Sequence, residues 1–276
     1  MGAQLSRGRA EATPTAQVPG RALKLAGIFA GAAVAFFPVT ADLAAHFARE
    51  PWSRYALVFP LLFLWCALHE GRPSASRSGL LWIGAGALIQ GLALAGGVLR
   101  FGRHALPLAI LGAVRLLGMA RLRTALLLMA CVPLPSSVAS LASPTGERAW
   151  LFLAAPALGP GAHLSYAERS VTGVTGTLAL RHADAGLVLA SLALGLAWYA
   201  GIRLGWGAAA TAAALAAGAL AAVALQALAT VSAVVAVGRG FDASLARAAL
   251  TAGPPLVATL LCVALTEVRA SGQDTA

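Results

Sequence analysis

Charged residues are scarce in this sequence. Only 11% of its 276 residues are Asp, Glu, Lys or Arg, whereas 59% are hydrophobic and the mean hydropathy is +0.80. Soluble domains contain about 25% charged residues, so this composition excludes an ordinary soluble protein. The apolar runs are continuous and rich in Ala and Leu rather than alternating, which disfavours strands. We therefore predict an all-α polytopic integral membrane protein, whose helices satisfy their own backbone hydrogen bonds.

Cysteine is almost absent. The three cysteines, Cys66, Cys131 and Cys262, each lie inside an apolar run and far from one another in the sequence. This spacing excludes a disulfide framework and provides no metal-ligand pattern. We interpret all three as small buried hydrophobic side chains, and we expect neither a metal nor a cofactor.

Acidic residues are few: the sequence has 10, against 20 basic residues. Lys24 is the single lysine. The arginines occur singly between apolar runs rather than in clusters. That distribution is typical of loop anchors that contact lipid headgroups. The expected partner is therefore the lipid bilayer and not nucleic acid.

Apolar runs are plentiful by contrast. About 20 helical residues cross 30 Å of hydrocarbon, and eight runs are candidates, some of them short or interrupted by proline. The predicted organisation is a disordered cytoplasmic tail at 1–21, a single helical transmembrane domain at 22–268 and a polar tail at 269–276. The eight predicted spans cover residues 23–45, 55–68, 80–99, 106–117, 124–134, 186–202, 208–237 and 248–265.

Basic residues orient these spans. With a cytoplasmic N-terminus, 11 of the 20 basic residues fall in cytoplasmic segments and nine on the other side, a small excess in the direction of the positive-inside rule. We predict a multi-pass protein of the plasma (inner) membrane with both termini in the cytoplasm.

The section between the fifth and sixth spans is more polar and less regular. Residues 136–157 mix apolar with charged side chains, which predicts a helix in the plane of the membrane interface. The sequence SVTGVTGTLALRH at 170–182 is rich in β-branched residues and glycine, and predicts a small hairpin or extended segment. Asp184 then opens the sixth span.

Arg181, His182 and Asp184 are the candidate site residues. One interpretation is structural, because a carboxylate just before an apolar helix caps its first amides and faces the positive end of its dipole. The other is functional: the three groups form a charge cluster at the outer membrane face, with His182 as a possible base. His69 and Glu70 form a further pair at a span end, interpreted as an anchor or cap because the second histidine of a zinc helix is missing.

Two segments resemble the exosortase/archaeosortase family. RYALVFPLLFLWCAL at 54–68 resembles its short second span, and RTALLLMACVPLP at 123–135 resembles the span that closes on a proline-x-proline exit, here Pro133 and Pro135. The order that follows is also similar: an interfacial helix, a β-like segment, and then a catalytic residue opening a span. The resemblance covers residues 50–255.

The resemblance implies a membrane cysteine transpeptidase or protease that processes C-terminal sorting helices of exported proteins, using a Cys, an Arg and a His. A cysteine near positive charge at a helix start is readily a thiolate and forms an acyl intermediate. This chain has Asp184 at the cysteine position, no Arg or Asn between Gly205 and Gly238, and Thr251 at the histidine position. The resemblance therefore predicts a pseudoenzyme, which binds sorting-tail helices without cutting them or serves an envelope or exopolysaccharide export system.

Two alternatives belong to other functional classes. One is a transporter or channel-like membrane subunit, against which the sequence shows no clear inverted repeat and few charges inside the spans. The other is an active membrane hydrolase that uses His182 and Asp184. A cysteine beside an imidazole and a guanidinium in one cleft would instead indicate a working protease.

Overall fold

The computed structural model describes residues 18–71, 73–133, 136–181, 184 and 186–274, and these are mostly helical. Eleven α-helices and three strands occur in the described ranges, and 3-10 turns at Pro51–Leu57, Leu126–Cys131 and Ala155–Ala157 adjoin α3, α7 and α8. The helices are α1 Val18–Ala35, α2 Phe37–Arg49, α3 Val58–His69, α4 Ser78–Ala95, α5 Leu99–Gly102, α6 Ala105–Leu116, α7 Leu122–Ala125, α8 Ser136–Ala154, α9 Leu187–Arg203, α10 Ala208–Gly238 and α11 Ala243–Asp274.

Three of these helices are long and apolar enough to cross a membrane, namely α4, α10 and Ala243–Ala270 within α11. They coincide with the predicted third, seventh and eighth spans. The bent pair α1–α2 makes a fourth candidate if it is counted as one broken span. The prediction is therefore confirmed in part. The described residues are mostly helical and include three candidate spanning helices, but eight spans are not confirmed.

The predicted first span, expected to be interrupted at Pro38, consists of two helices, α1 and α2. The chain bends by 97° between α1 and α2. Pro38 lies in the first turn of α2, where proline is well accommodated because the first amides of a helix have no intrahelical acceptor. The proline that was expected only to interrupt the span therefore starts a new helix in a different direction.

The other predicted spans are short helices. α3 and α6 have 12 residues each and α9 has 17, which corresponds to about 18 Å and 25 Å of rise against about 30 Å of hydrocarbon. The predicted fifth span is the four-residue α7 followed by a 3-10 turn. Pro133 after this turn is buried, whereas Pro135 lies outside the described residues.

A three-stranded antiparallel sheet follows α8. Its strands are β1 His163–Ser165, β2 Ser170–Gly173 and β3 Gly176–Ala179, in the order β1-β2-β3. The predicted hairpin is confirmed as β2–β3, in which Gly173 pairs with Gly176 across a two-residue turn. β1 was not predicted. The predicted interfacial helix is confirmed as a helix, α8, and it forms an ion pair toward the sheet, in which Arg169 Nη1 lies 2.8 Å from the buried carboxylate of Glu147.

Besides a small cluster around Phe36, two apolar cores hold the described elements together. The larger lies between α3, α6, α9 and the turn after α7, and includes Phe59, Phe63 and Tyr199, all fully buried. The smaller packs α8 and the sheet against the end of α10. α4 and α6 approach closely through glycines, because a Cβ on Gly112 would lie 2.5 Å from the Gly79 carbonyl oxygen. Small residues at such contacts are characteristic of helix packing in membranes.

Candidate functional site

Asp184 lies in the turn between β3 and α9, and its residue exposure is only 2%. The turn is closed twice through Arg181. The Asp184 amide donates to the Arg181 carbonyl oxygen at 2.8 Å, and the Arg181 amide donates to Asp184 Oδ2 at 2.7 Å. Asp184 therefore bonds Arg181 with both its amide and its carboxylate.

The charge partner of Asp184 is Arg247 in the second turn of α11. Its Nη1 donates to Asp184 Oδ2 at 2.7 Å, and the Arg247 side chain is 20% exposed. A charge-assisted hydrogen bond of this length is among the stronger polar contacts in proteins. A carboxylate buried to this degree needs such a partner, because an unpaired charge in an apolar interior is costly.

α10 adds neutral polar groups to the same place. Thr230 Oγ1 donates to the Asp184 carbonyl oxygen at 3.2 Å, and Gln226 Nε2 lies 3.5 Å from Thr230 Oγ1. Both side chains are buried. The turn before α9, the end of α10 and the beginning of α11 are thereby joined in one hydrogen-bonded group, which we call the Asp184 cluster: Asp184, Gln226, Thr230 and Arg247.

The prediction that Asp184 caps the sixth span is wrong. The cap position of α9 is Gly186, which has φ +96°, and no side chain among the described residues caps the first amides of the helix. A φ in the left-handed region favours glycine, and the Asp184 carboxylate bonds Arg247 of α11 instead of capping α9. A Cβ at Gly186 would also lie 3.3 Å from the Val223 Cα, so the turn sits tightly against α10.

Of the three predicted site residues, Asp184 alone belongs to the cluster through its side chain. Arg181 contributes its backbone while its side chain is exposed, and His182 lies outside the described residues. Sequence reasoning missed Arg247, which is 63 positions away in the chain. The available signal was an arginine in the first turns of an otherwise apolar helix, together with Gln226 and Thr230 in the apolar α10.

Thr251, which the resemblance predicts at the position of the family's histidine, bonds within its own helix. Its hydroxyl donates to the Arg247 carbonyl oxygen at 2.9 Å, which is a common back-bond for threonine in a helix. Among the described residues no three or more His, Cys, Asp or Glu side chains are close enough together to hold a metal ion.

A second polar site lies at the other end of α9. It is a cavity of about 380 Å³ lined by Cys66, His69, Glu70, Arg121, Arg123 and Arg203, among others. We call it the arginine cavity. Two of its residues, His69 and Glu70, were predicted to be an anchor or cap, and Glu70 does accept from the Arg121 amide at 3.1 Å, just before α7.

The arginine cavity contains a sulfur, an imidazole and guanidinium groups, which are the residue types expected of a working cysteine protease. Their geometry differs from that of a catalytic set. Cys66 is 4% exposed. His69 Nδ1 lies 2.9 Å from the Trp65 carbonyl oxygen, and the centroids of the His69 and Trp65 rings are 4.0 Å apart with the rings tilted by 39°. In the part of the chain that the structure describes, Cys66 and His69 are not hydrogen bonded to each other, which differs from the contact between nucleophile and base in an activated pair.

Comparison with protein-family models, with curated proteins and with solved structures finds no match to this chain. The resemblance to the exosortase/archaeosortase family therefore stays a prediction, carried by the segments quoted above.

Proposed function

We propose that this chain is an exosortase-like membrane protein that binds the apolar C-terminal helices of exported proteins without cutting them. The observation that carries the proposal is the Asp184 cluster. The resemblance assigns the family's Cys, Arg and His to the turn before α9, to α10 and to the start of α11. In this chain those three elements meet at one point, around Asp184, Thr230 and Arg247.

The chemistry of the cluster favours binding over hydrolysis. Asp184 Oδ2 accepts from both Arg247 and the Arg181 amide, so this oxygen is held by two donors and is poorly placed to take a proton from water. As a nucleophile toward an amide, a carboxylate would have to form a high-energy mixed anhydride. Thr251, bonded to the Arg247 carbonyl oxygen, supplies no base. The hydrolase alternative thus has little support from the described residues.

A groove beside α9 supports the binding of a helix. It has a volume of about 360 Å³ and lies between α9, α10 and α11, where Ala193, Ala197, Gly218 and Ala258 line it. Small side chains allow another helix to approach closely in lipid, where van der Waals packing drives association. The occupant that we propose is the apolar tail helix of an exported protein.

Site-specific cross-linking tests this binding. Ala197→p-benzoylphenylalanine places a photoreactive group in the groove, and Leu81→p-benzoylphenylalanine, at a side chain that is 76% exposed on α4, is the matched control. After irradiation of cells that make the protein, we expect the groove probe to yield peptides from apolar C-terminal segments and the control to yield none. Equal capture by both probes, or capture of other kinds of segment, would overturn the proposal.

We further propose that the protein lies in the plasma (inner) membrane with both termini in the cytoplasm. Both described termini are at the arginine-cavity end: Arg21 of α1 donates to the Glu70 carbonyl oxygen at 2.6 Å, and Glu267 of α11 contacts Arg203 at 2.7 Å. The concentration of arginines at this end favours a cytoplasmic location. A reporter that fluoresces only in the cytoplasm, fused to the C-terminus, should be bright; a dark fusion of normal abundance would reverse the orientation.

A further inference from the structure

We propose that the arginine cavity binds a phosphate group, supplied by the headgroup of an anionic lipid. This inference concerns the opposite end of α9 from the Asp184 cluster and does not depend on the proposed function. It rests on three guanidinium groups, those of Arg121, Arg123 and Arg203, which line one cavity with Glu70 as the only carboxylate of its described lining.

Arg123 supplies a charge that its surroundings do not neutralise. Its Nη1 donates to the Trp206 carbonyl oxygen at 2.7 Å and its Nη2 to Thr211 Oγ1 at 2.6 Å. The guanidinium carbon also lies 5.7 Å from the centre of the Trp198 ring. All these partners are neutral, and no carboxylate among the described residues pairs with Arg123. Its charge therefore has no ion-pair partner among the described residues and adds to the positive potential of the cavity that it lines.

Arg121 supplies donors that are free to reach a ligand. Its side chain is 70% exposed, and its Nε lies 3.3 Å from Glu70 Oε1. That carboxylate is already engaged, because it accepts from the Arg121 amide at 3.1 Å and from Thr124 Oγ1 at 3.2 Å. In the described part of the chain the two terminal nitrogens of Arg121 have no partner. They form the planar fork that suits a phosphate.

Arg203 completes the set while keeping one nitrogen available. Its Nε and Nη2 donate to the Glu267 carboxylate at 2.9 and 2.7 Å, which leaves Nη1. The negative charges of Glu70 and Glu267 thus cancel part of the positive charge of Arg121, Arg123 and Arg203. Arg21 lies at the edge and donates to the Glu70 carbonyl oxygen. A net positive cavity remains, and a phosphate diester would neutralise it.

The position of the cavity favours a lipid headgroup over a soluble anion. α3 and α9 end at it, and α10 begins beside it. These are helix ends, where headgroups lie at the surface of a bilayer. Trp198 and Trp206, which contact Arg123, have the side chain that is enriched at this depth. The volume of about 380 Å³ lies within the range of about 300–1,000 Å³ that small-molecule sites occupy.

Lipid retention measured by native mass spectrometry tests the inference. The purified full-length protein is titrated in detergent with phosphatidylglycerol or phosphatidylcholine. Arg121→Gln removes the exposed fork, and Arg77→Gln is the matched control, because Arg77 is an exposed arginine before α4 that does not line the cavity. We expect preferential retention of phosphatidylglycerol, about tenfold weaker in Arg121→Gln, and less than twofold weaker in Arg77→Gln. Equal losses in the two variants would indicate a general surface potential and overturn the proposal, as would equal retention of both lipids by the unaltered protein.

Inorganic phosphate distinguishes the source of the phosphate group. Its effect on thermal unfolding is compared with that of chloride at matched ionic strength. Stabilisation by phosphatidylglycerol but not by inorganic phosphate, lost in Arg121→Gln, supports a lipid headgroup. Stabilisation by inorganic phosphate alone overturns the lipid assignment. Unchanged cross-linking at Ala197 in Arg121→Gln would show that tail binding does not depend on the arginine cavity, so that either result leaves the tail-binding proposal unaffected.

Discussion

The charged side chains at the two ends of α9 differ in how completely they are paired. At its beginning, Asp184 is 2% exposed and is matched by Arg247, by a backbone amide and by the polar groups of α10. At its end, about 25 Å away for 17 residues, arginines outnumber their carboxylate partners around an open cavity. A charge that is closed internally fixes structure, whereas a charge without an internal partner is available to a ligand. The difference is the basis on which we propose a structural and positioning role for the first end and a binding role for the second.

The largest effect is expected from breaking the Asp184–Arg247 pair. Asp184→Ala leaves the Arg247 guanidinium without its carboxylate in a mostly buried site, which should destabilise the protein by about 3 kcal/mol. Arg247→Met should have a similar effect. The double variant should recover part of the loss, because it leaves no unpaired charge. Unfolding by a denaturing detergent gives the three free energies, and purely additive losses would show that the pair does not exist.

Glycines at the two ends of α9 allow a second comparison. Gly186 has φ +96° and Gly205 has φ +64°, but only Gly186 faces backbone at close range, because a Cβ added there would lie 3.3 Å from Val223 Cα. Gly205→Ala should cost about 1 kcal/mol for the left-handed backbone alone. Gly186→Ala should cost about 2 kcal/mol or more, because it also displaces α10. Thermal unfolding of the two variants measures the difference, and equal costs would mean that the turn before α9 is not packed as described.

A smaller effect is expected from the ion pair at the arginine-cavity end. The Arg203 and Glu267 side chains are 25% and 30% exposed, so their charges are partly screened by solvent. Glu267→Gln should therefore destabilise the protein by about 1 kcal/mol or less, well below the effect of Asp184→Ala. If Glu267→Gln had the larger effect, the charges at the arginine-cavity end would not be less firmly paired than Asp184, which would contradict the comparison.

The smallest effect concerns Asp242, an exposed carboxylate at the same end as Asp184. Its Oδ1 accepts from the Ser244 and Leu245 amides at 2.8 and 2.9 Å. A hydrogen bond from the Ser244 hydroxyl, together with these two, lowers the pKa of Asp242 below its usual value. The stabilisation is therefore present above the unfolded-state pKa and is lost as pH falls through the lower folded-state pKa.

Asp242→Asn separates this cap from the other acids. The amide oxygen still caps α11 but does not titrate, so the difference in melting temperature between the two proteins should change with pH only in the acid range. A difference that does not vary with pH, or one that varies near neutrality, would contradict the assignment.

Local patterns predicted much of the fold. The positions of α4, α9, α10 and α11 follow from apolar runs, and the β2–β3 hairpin follows from β-branched residues bounded by glycine. The 97° bend after α1 was missed, because proline marks a break without setting its direction. The partner of Asp184 was missed for a related reason: a hydrogen bond across 63 residues depends on how α9, α10 and α11 pack, which no local pattern encodes.

The most direct test of the central claim is the intact mass of the tail helix captured at Ala197. If the Asp184 cluster positions a bound helix without cutting it, the captured tail should be full-length in the unaltered protein and also in Asp184→Asn. A shortened tail in the unaltered protein that becomes full-length in Asp184→Asn would show that Asp184 takes part in cleavage, and would contradict the claim.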